Sequence, residues 1–336
     1  MNNYDYIVIG GGFFGCMIAQ NLKGKVLLIE KENDLMQKAS ANNQARVHNG
    51  YHYPRSYKTA FAAHINFPRF MAEFKDAVSD DYTMFYAVGR NGKTDAKKYK
   101  KACKKVGCPL YECPENLKKW FNLEFVEDIF LGHEGVFDSE KIKKILIEKL
   151  KHVDILLNTE VKKVSEGKIY LRDREINAKK IIACIYADTN KLLINSNLPE
   201  LPIRNEDTVM PLVEVPEKFK NVSITIMDGS FFSIYPFPKR GLHTIHHVEL
   251  TPEGGDYKKI KEHVVNCIPD MKDMKHKGDI RERKTVLIQN DYDDGRPILF
   301  RSDYGFPGFD IIVGAKLDNI YDILDFENTN KSRYVV

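Results

Sequence analysis

Tyr6-Ile7-Val8-Ile9 is a short, wholly apolar run rich in β-branched residues, and such a run predicts a strand buried on both faces. Residues 14–22 carry good helix formers and give way to Gly24, a helix stop, after which Lys25-Val26-Leu27-Leu28-Ile29-Glu30 predicts a second strand. Strand, glycine-rich turn, helix and strand thus follow one another closely enough for a parallel βαβ unit.

The pattern then breaks. Residues 37–56 are rich in Ala, Asn, Gln, His and Tyr and show neither the helical nor the strand period. A helix is expected over 56–77 from Phe61, Ile65, Phe67, Phe70 and Phe74, interrupted by Pro68. Residues 82–137 read as a mixed insertion with a basic helix near 95–106. The spacing of Ile142, Ile145, Leu146 and Leu150 predicts an amphipathic helix over 139–150, followed by strands over 153–157, 160–164 and 168–171. After a turn expected at Asn177, the apolar run 180–186 reads as a further parallel strand. Residues 206–289 form a second insertion of mostly alternating strands, among them 222–227, 231–235 and 242–249. A last strand over 309–313 leads through Gly314 into a helix reaching Asp325. The expected division is one domain from 1–81, 138–205 and 290–336, and a second from 82–137 and 206–289.

Composition narrows the partners. A chain of 336 residues with 43% hydrophobic content can bury two moderate cores. Its 51 basic and 47 acidic residues leave a net charge of +4, too small an excess to make a field for nucleic acid, so a small-molecule substrate is expected, and an anion is compatible. No run has the length of a membrane helix, and residues 6–9 lack the basic leader and cleavage site of a secretory signal. Six scattered cysteines suit reduced thiols, and the expected location is cytoplasmic. Cys103, Cys108 and Cys113 recur at intervals wider than metal pairs use, with no histidine close by, so no metal site is assigned. Lys97, Lys98, Lys100, Lys101, Lys104 and Lys105 on one short helix read as a solvated face. Nothing in the pattern fixes an oligomeric state.

Chemistry concentrates in Gly10-Gly11-Gly12-Phe13-Phe14-Gly15. In a dinucleotide turn the first glycine, here Gly10, makes the tight bend. Gly12 lets the backbone approach a pyrophosphate, and Gly15 lets helix pack on strand. The helix start beyond it offers free N–H groups and a positive dipole end. Glu30, at the end of the second strand, is placed to accept hydrogen bonds from a ribose and would repel the 2′-phosphate of NADP.

Four later segments extend the match. Ala39-Ser40-Ala41-Asn42-Asn43-Gln44, Val47-His48-Asn49-Gly50-Tyr51, Glu160-Val161 with Ala183-Cys184-Ile185-Tyr186-Ala187, and Gly314-Ala315-Lys316-Leu317-Asp318-Asn319-Ile320-Tyr321, together with residues 5–31, resemble the D-amino-acid oxidase and glycerol-3-phosphate dehydrogenase superfamily of FAD enzymes. The resemblance implies an α/β fold: a glutathione-reductase-type FAD-binding Rossmann domain with an interleaved, mainly antiparallel-sheet substrate domain. It further implies FAD contacts from Gly10, Gly12, Phe13, Phe14, Gly15, Glu30 and Lys31 at the turn and second strand. Ser40, Asn43, Gln44, Val47 and His48 would follow the pyrophosphate, ribityl chain and flavin. Val161 would meet the adenine, Cys184 would contact the cofactor from the small-residue turn that ends its strand, and Gly314, Ala315, Lys316 and Leu317 would lie at the flavin's pyrimidine edge. Two departures stand out, Cys184-Ile185 for the usual Ala-Gly and Ala315 for a glycine. Residues 5–31 also resemble the flavin-dependent nucleotide-sugar mutases, but Leu35-Met36-Gln37-Lys38 stands where those proteins have a double-glycine turn.

What the resemblance implies for activity is transfer of a hydride from a CH–OH or CH–NH carbon to flavin N5. His48, or else His52, is the candidate to take the proton, and Lys316 with the helix start near Leu317 the candidate to stabilise charge on the reduced ring. In some relatives the histidine at the His48 position carries a covalent flavin link. Strand alternation puts His243 and His247 on one face and His246 on the other, so the three cannot converge on a metal. Arg55, Arg240, Arg296 and Arg301 are candidates to clamp a carboxylate or phosphate. The layout resembles FAD proteins of bacterial surface-polysaccharide pathways, which points to a sugar or nucleotide-linked sugar. Amino-acid oxidation and a redox-neutral mutase reaction are the alternatives.

Overall fold

The computed structural model describes residues 3–252, 254–288, 295–314 and 316–329. Asn3–Ile9 lies in the middle of an eight-stranded sheet, parallel to Glu175–Ala183 on one side and to Val26–Ile29 on the other, with Asp154–Leu156 beyond. Phe309–Val313 joins the far edge of Glu175–Ala183 in parallel and pairs in turn with Leu299–Arg301. Ile7, Val8, Leu28 and Ile181 have no exposed surface, as wholly apolar strands covered on both faces require. Helix Phe13–Asn21 covers one face with Phe13, Cys16, Met17 and Ala19, and helix Ser139–Lys149, capped by the Asp138 carboxylate, adds Ile142 and Leu146 to the same core.

Two local expectations shift. No turn forms at Asn177; the strand Glu175–Ala183 runs through it because Asn177 is paired with Asn3 on one side and Lys168 on the other. Ladder pairing on both edges outweighs the turn preference of one asparagine. The same strand stops at Ala183, since Tyr186 takes up a left-handed conformation (φ 50°) and opens a short 3₁₀ turn, Tyr186–Asp188. The strand expected over 160–164 is confined to Lys163–Ser165.

The second eight-stranded sheet runs, in spatial order, Lys275–Leu287, Ile203–Glu214, Leu242–His247, Phe232–Phe237, Val222–Met227, Thr83–Gly89, Val126–Gly132, Tyr111–Glu112. Every pairing is antiparallel except that of Val222–Met227 with Thr83–Gly89, the seam at which strands from the two inserted stretches meet. Helix Tyr257–Cys267 packs on this sheet, where the strand pattern had suggested no helix; Ile260, Val264 and Cys267, at helical spacing, face its core, and Asp256 caps it. A three-stranded sheet of Arg46–Val47, Gly135–Phe137 and Val78–Ser79 links the loop after the second strand to the rest. Helix Tyr57–Glu73 keeps Pro68 within it and turns Ala60, Ala63, Phe67 and Phe70 inward.

His243 is 5% exposed and its Nε2 lies 3.2 Å from the Val222 carbonyl. Burial pushes its ring down to about 4, below the ordinary histidine value. The folded chain therefore keeps His243 neutral where the unfolded chain, with an ordinary value of about 6.5, takes a proton. Below about pH 6.5 stability falls as the pH is lowered, by up to about 1.4 kcal/mol per pH unit for one such group, until the folded ring itself titrates. His243→Gln is expected to give a shallower decline of Tm with acid than the parent chain. Parallel Tm curves by calorimetry would remove this contribution.

Candidate active site

The turn after the first strand is built by backbone crowding. Gly10 has φ +102°, its N–H donates to the Ile29 carbonyl at 2.8 Å, and a Cβ there would stand 2.6 Å from the Cys184 carbonyl oxygen. A Cβ on Gly15 would overlap the Gly10 carbonyl oxygen, so the helix sits directly on the turn. Gly12 caps helix Phe13–Asn21 without a side chain, and the Phe13 N–H donates to Ser40 Oγ at 2.8 Å. Above this turn opens a cavity of about 1210 Å³.

Most residues named from the sequence border that cavity. Gly10, Gly12, Phe13 and Phe14 line it from the turn, and Glu30 and Lys31 from the end of the second strand. Ser40, Asn43, Gln44, His48 and His52 line it from the loop that follows. Val161 and Cys184 line it from the middle of the chain, and Gly314, Lys316 and Leu317 from the stretch after the last strand. Gly15 lies beneath the turn, not on the cavity wall. Val47 also faces away: alternation along Arg46–Val47 sends Val47 into the core opposite Gly135 and leaves Arg46 and His48 on the cavity side. Ala315 falls outside the described residues. The expected helix start near Leu317 is a 3₁₀ turn, Leu317–Asn319, that continues as helix Ile320–Thr329.

Several polar groups here are arranged for something not made of protein. Lys316 is 8% exposed, its Nζ has no hydrogen-bond partner among the described residues, and it stands 3.9 Å from the centre of the Tyr53 ring. The His48 and His52 rings lie 5.2 Å apart at a tilt of 32°. Each has a buried Nδ1 that makes no hydrogen bond, that of His48 standing 3.4 Å from Glu134 Oε1, which leaves Nε2 to face the cavity both residues line. Burial, with Lys316 and Arg46 close by, pushes His48 down to about 3; burial, with Arg46, holds His52 well below the usual histidine range. Both rings are therefore neutral acceptors at physiological pH. Glu30 accepts from the Gly11 N–H at 2.6 Å and the Glu32 N–H at 2.9 Å, and Lys31 pairs with Asp188 at 2.5 Å. A turn free of Cβ atoms, a carboxylate fixed at the strand end and an unpaired buried cation across the cavity suit a flavin dinucleotide.

Sequence reasoning missed the charged centre of the site. Arg46 lines the cavity, donates from Nε to Glu134 Oε2 at 2.8 Å and bonds to the Tyr86 hydroxyl, while Glu134 has no exposed surface. Alternation outward from Val47 could have flagged Arg46; nothing local marks Glu134, which joins it from 88 residues away. Among the candidate arginines, Arg296 lines the cavity, Arg55 is held by Asp228 (Nε to Oδ2, 2.6 Å), and Arg240 and Arg301 lie off the wall. His246 is the histidine of its strand that faces the cavity, and His247 instead meets His263 at 2.8 Å behind the sheet. Among the described residues no cluster of three or more His, Cys, Asp or Glu side chains is placed to hold a metal, and no helix is long and apolar enough to cross a membrane.

A parallel sheet with a glycine turn beneath a long cavity, roofed by a second sheet, defines a two-sheet flavoprotein of the oxidase and dehydrogenase type. A family model described as DAO, FAD dependent oxidoreductase, matches residues 5–316, and the chain belongs to that family, whose cofactor is FAD. It is 25% identical to the FAD-dependent monooxygenase FPY4 of Fusarium mangiferae over 259 residues, 76% of this chain and 66% of that protein. The chain thus spans just under two thirds of the length of that relative. Glycine oxidase from Geobacillus kaustophilus has the same fold at a TM-score of 0.75 and 14% identity, covering 95% of this chain and 91% of that one. So does L-alpha-glycerophosphate oxidase from Mycoplasma pneumoniae with FAD bound, at a TM-score of 0.74 and 16% identity, covering 97% and 94%.

Glu30→Ala would leave the buried Gly11 N–H and the half-buried Glu32 N–H without their acceptor and remove a carboxylate from the cavity wall. The expected loss is about 1–3 kcal/mol, or roughly 5- to 150-fold in the Kd for FAD. Fluorescence titration of the apoprotein with FAD measures it, and an unchanged Kd would take Glu30 out of the cofactor site.

Proposed function

We propose that the chain oxidises a CH–OH or CH–NH carbon of a small polar substrate. The observation that carries this reading is the convergence of an unpaired buried cation, Lys316, and two neutral imidazoles, His48 and His52, on one cavity beside the dinucleotide turn. When bound, FAD supplies a two-electron acceptor for the substrate hydride at N5. Gly10, Gly12, Phe13, Phe14, Glu30, Lys31, Ser40, Asn43, Gln44, Val161, Cys184, Gly314 and Leu317 hold the cofactor in this reading, and Gly15 and Val47 support the backbone that does so. His48 Nε2 takes the substrate proton, with His52 next to it as the second choice. Lys316 and the N–H groups opening the Leu317–Asn319 turn stabilise negative charge at the pyrimidine edge. Residues 1–81, 138–205 and 290–336 serve the cofactor and 82–137 and 206–289 the substrate, a division the two large sheets support.

A sugar or nucleotide-linked sugar of surface-polysaccharide synthesis is our preferred substrate class. The breadth of the cavity supports it, as do the aromatic walls from Tyr53 and Phe232 and the hydroxyl-binding groups of Ser233 and Glu249. A second reading, an amino or hydroxy acid, is favoured by Arg296, whose guanidinium meets no carboxylate among the described residues and so is suited to an anionic substrate. All six cysteines are buried and free, which supports a reducing, cytoplasmic setting.

Lys316→Met is expected to lower the flavin midpoint potential or slow flavin reduction. His48→Asn is expected to slow reduction by about 10²- to 10⁴-fold, the usual share of a general base. Anaerobic stopped-flow with sugar nucleotides, hydroxy acids and amino acids checks both. A substrate consumed without flavin bleaching would exchange oxidation for a mutase reaction.

A further inference from the structure

Glu134 lies in the bend between strands Val126–Gly132 and Gly135–Phe137 and has no exposed surface. Its Oε2 accepts from Arg46 Nε at 2.8 Å and from the Tyr235 hydroxyl at 2.8 Å. Its Oε1 accepts from the Asn49 N–H at 3.1 Å and stands 3.4 Å from His48 Nδ1, close but not yet aligned as a hydrogen bond. Arg46 is held in turn by the Tyr86 hydroxyl, by Thr225 Oγ1 at 3.1 Å and by the Tyr235 ring at 4.1 Å. Donors from the loop and from the second sheet therefore fix the carboxylate, and it cannot turn away from His48.

We propose that Glu134 is a positioning residue for His48: it keeps the ring proton on Nδ1, presents the Nε2 lone pair to the cavity, and supplies the counter-charge when that lone pair takes the substrate proton. The inference rests on the assignment of His48 as the base. In the step concerned, the substrate O–H or N–H bond breaks and an N–H bond forms at His48 Nε2. With FAD bound as the two-electron acceptor, the electron pair left behind would become the C=O or C=N π bond as the carbon gives up a hydride, so the two electrons lost by the substrate would be those the cofactor gains.

The surroundings explain why a carboxylate is needed. The groups facing His48 are two cations, Lys316 and Arg46, two neutral rings, His52 at 5.2 Å and Tyr53 at 5.7 Å, and Glu134. An imidazolium between two cations is repelled, and Glu134 is the carboxylate within 4 Å of it among the described residues. One charge thus answers two: it balances Arg46 in the resting site and His48 when the proton arrives. A purely structural ion pair would also be buried and fully bonded, but its loss would be felt whether or not residue 48 is a histidine.

The test compares FAD-loaded parent protein, Glu134→Gln, Glu134→Asp, His48→Asn and the Glu134→Gln/His48→Asn double variant. The readouts are the flavin spectrum, Tm, the pH dependence of flavin reduction, and the ¹⁵N shifts of the His48 ring in the oxidised protein. With flavin still bound, Glu134→Gln should slow reduction by about 10²-fold or more and displace the pH profile, and Glu134→Asp should restore much of the rate. In the His48→Asn background the same change should cost less than about threefold. The His48 ring should read as Nδ1-protonated in the parent and as a tautomer mixture in Glu134→Gln. Equal slowing with and without His48, or a tautomer indifferent to residue 134, would overturn the proposal. If Glu134→Gln alone fails to fold, Arg46→Met/Glu134→Gln removes both buried charges and the ring shifts are read there, with the same two outcomes. If His48→Asn leaves reduction unchanged, the base assignment fails by itself, and the tautomer still decides whether Glu134 orients the ring.

Discussion

Arg46 and Glu134 meet where the loop behind the dinucleotide turn touches the second sheet, and both charges are out of water. Desolvating each costs several kcal/mol, and the pair is held by the Tyr86, Thr225, Tyr235 and Asn49 donors and acceptors around it. Tyr86 comes from Thr83–Gly89, Thr225 from Val222–Met227 and Tyr235 from Phe232–Phe237, three adjacent strands of one sheet. The pair therefore fixes how the cofactor-side loop sits against that sheet. A shift of the loop by one residue would bury Val47's neighbours on the wrong side and leave a lone charge in the interior, which neither part can tolerate.

The electrostatics of the cavity follow from that arrangement. Burial first, and then the neighbouring Arg46 and Lys316, keep the imidazoles neutral. A neutral ring beside fixed cations accepts a proton reluctantly, while anionic charge is welcomed by the same cations. The site thus favours negative charge developing on a bound ring or substrate. Lys316 lies over the Tyr53 ring and makes no hydrogen bond to a carboxylate among the described residues, with Asp318 acting on it through space, so its ammonium keeps free hydrogen-bond donors for a ligand.

Proteins at 14% and 16% identity share this fold over more than nine tenths of the chain. In this chain the dinucleotide turn rests on backbone crowding, since Cβ atoms there would strike the Cys184 and Gly10 carbonyls. The other wall of the cavity is made by the strands carrying Thr225, Ser233 and His246, which are separate in the chain from that turn.

The chain's own pattern determined the parts that rest on neighbours in sequence. The first βαβ unit, the helices at Ser139–Lys149 and Ala96–Val106 and the strand Phe309–Val313 follow from periodicity and caps, and the glycine turn with Glu30 announces its ligand because its spacing is local. At Asn177 and in the helix Tyr257–Cys267, pairing partners or a sheet to pack on, far away in sequence, override local preference. Only the tertiary structure decided that Arg46 and His48 face the cavity while Val47 does not, that His246 and Arg296 reach it while His247 and Arg240 do not, and that Glu134 completes the site. Those outcomes depend on which strand lies opposite which, and a buried charge is recognisable only once the partner that neutralises it has been brought beside it from a distant stretch of chain.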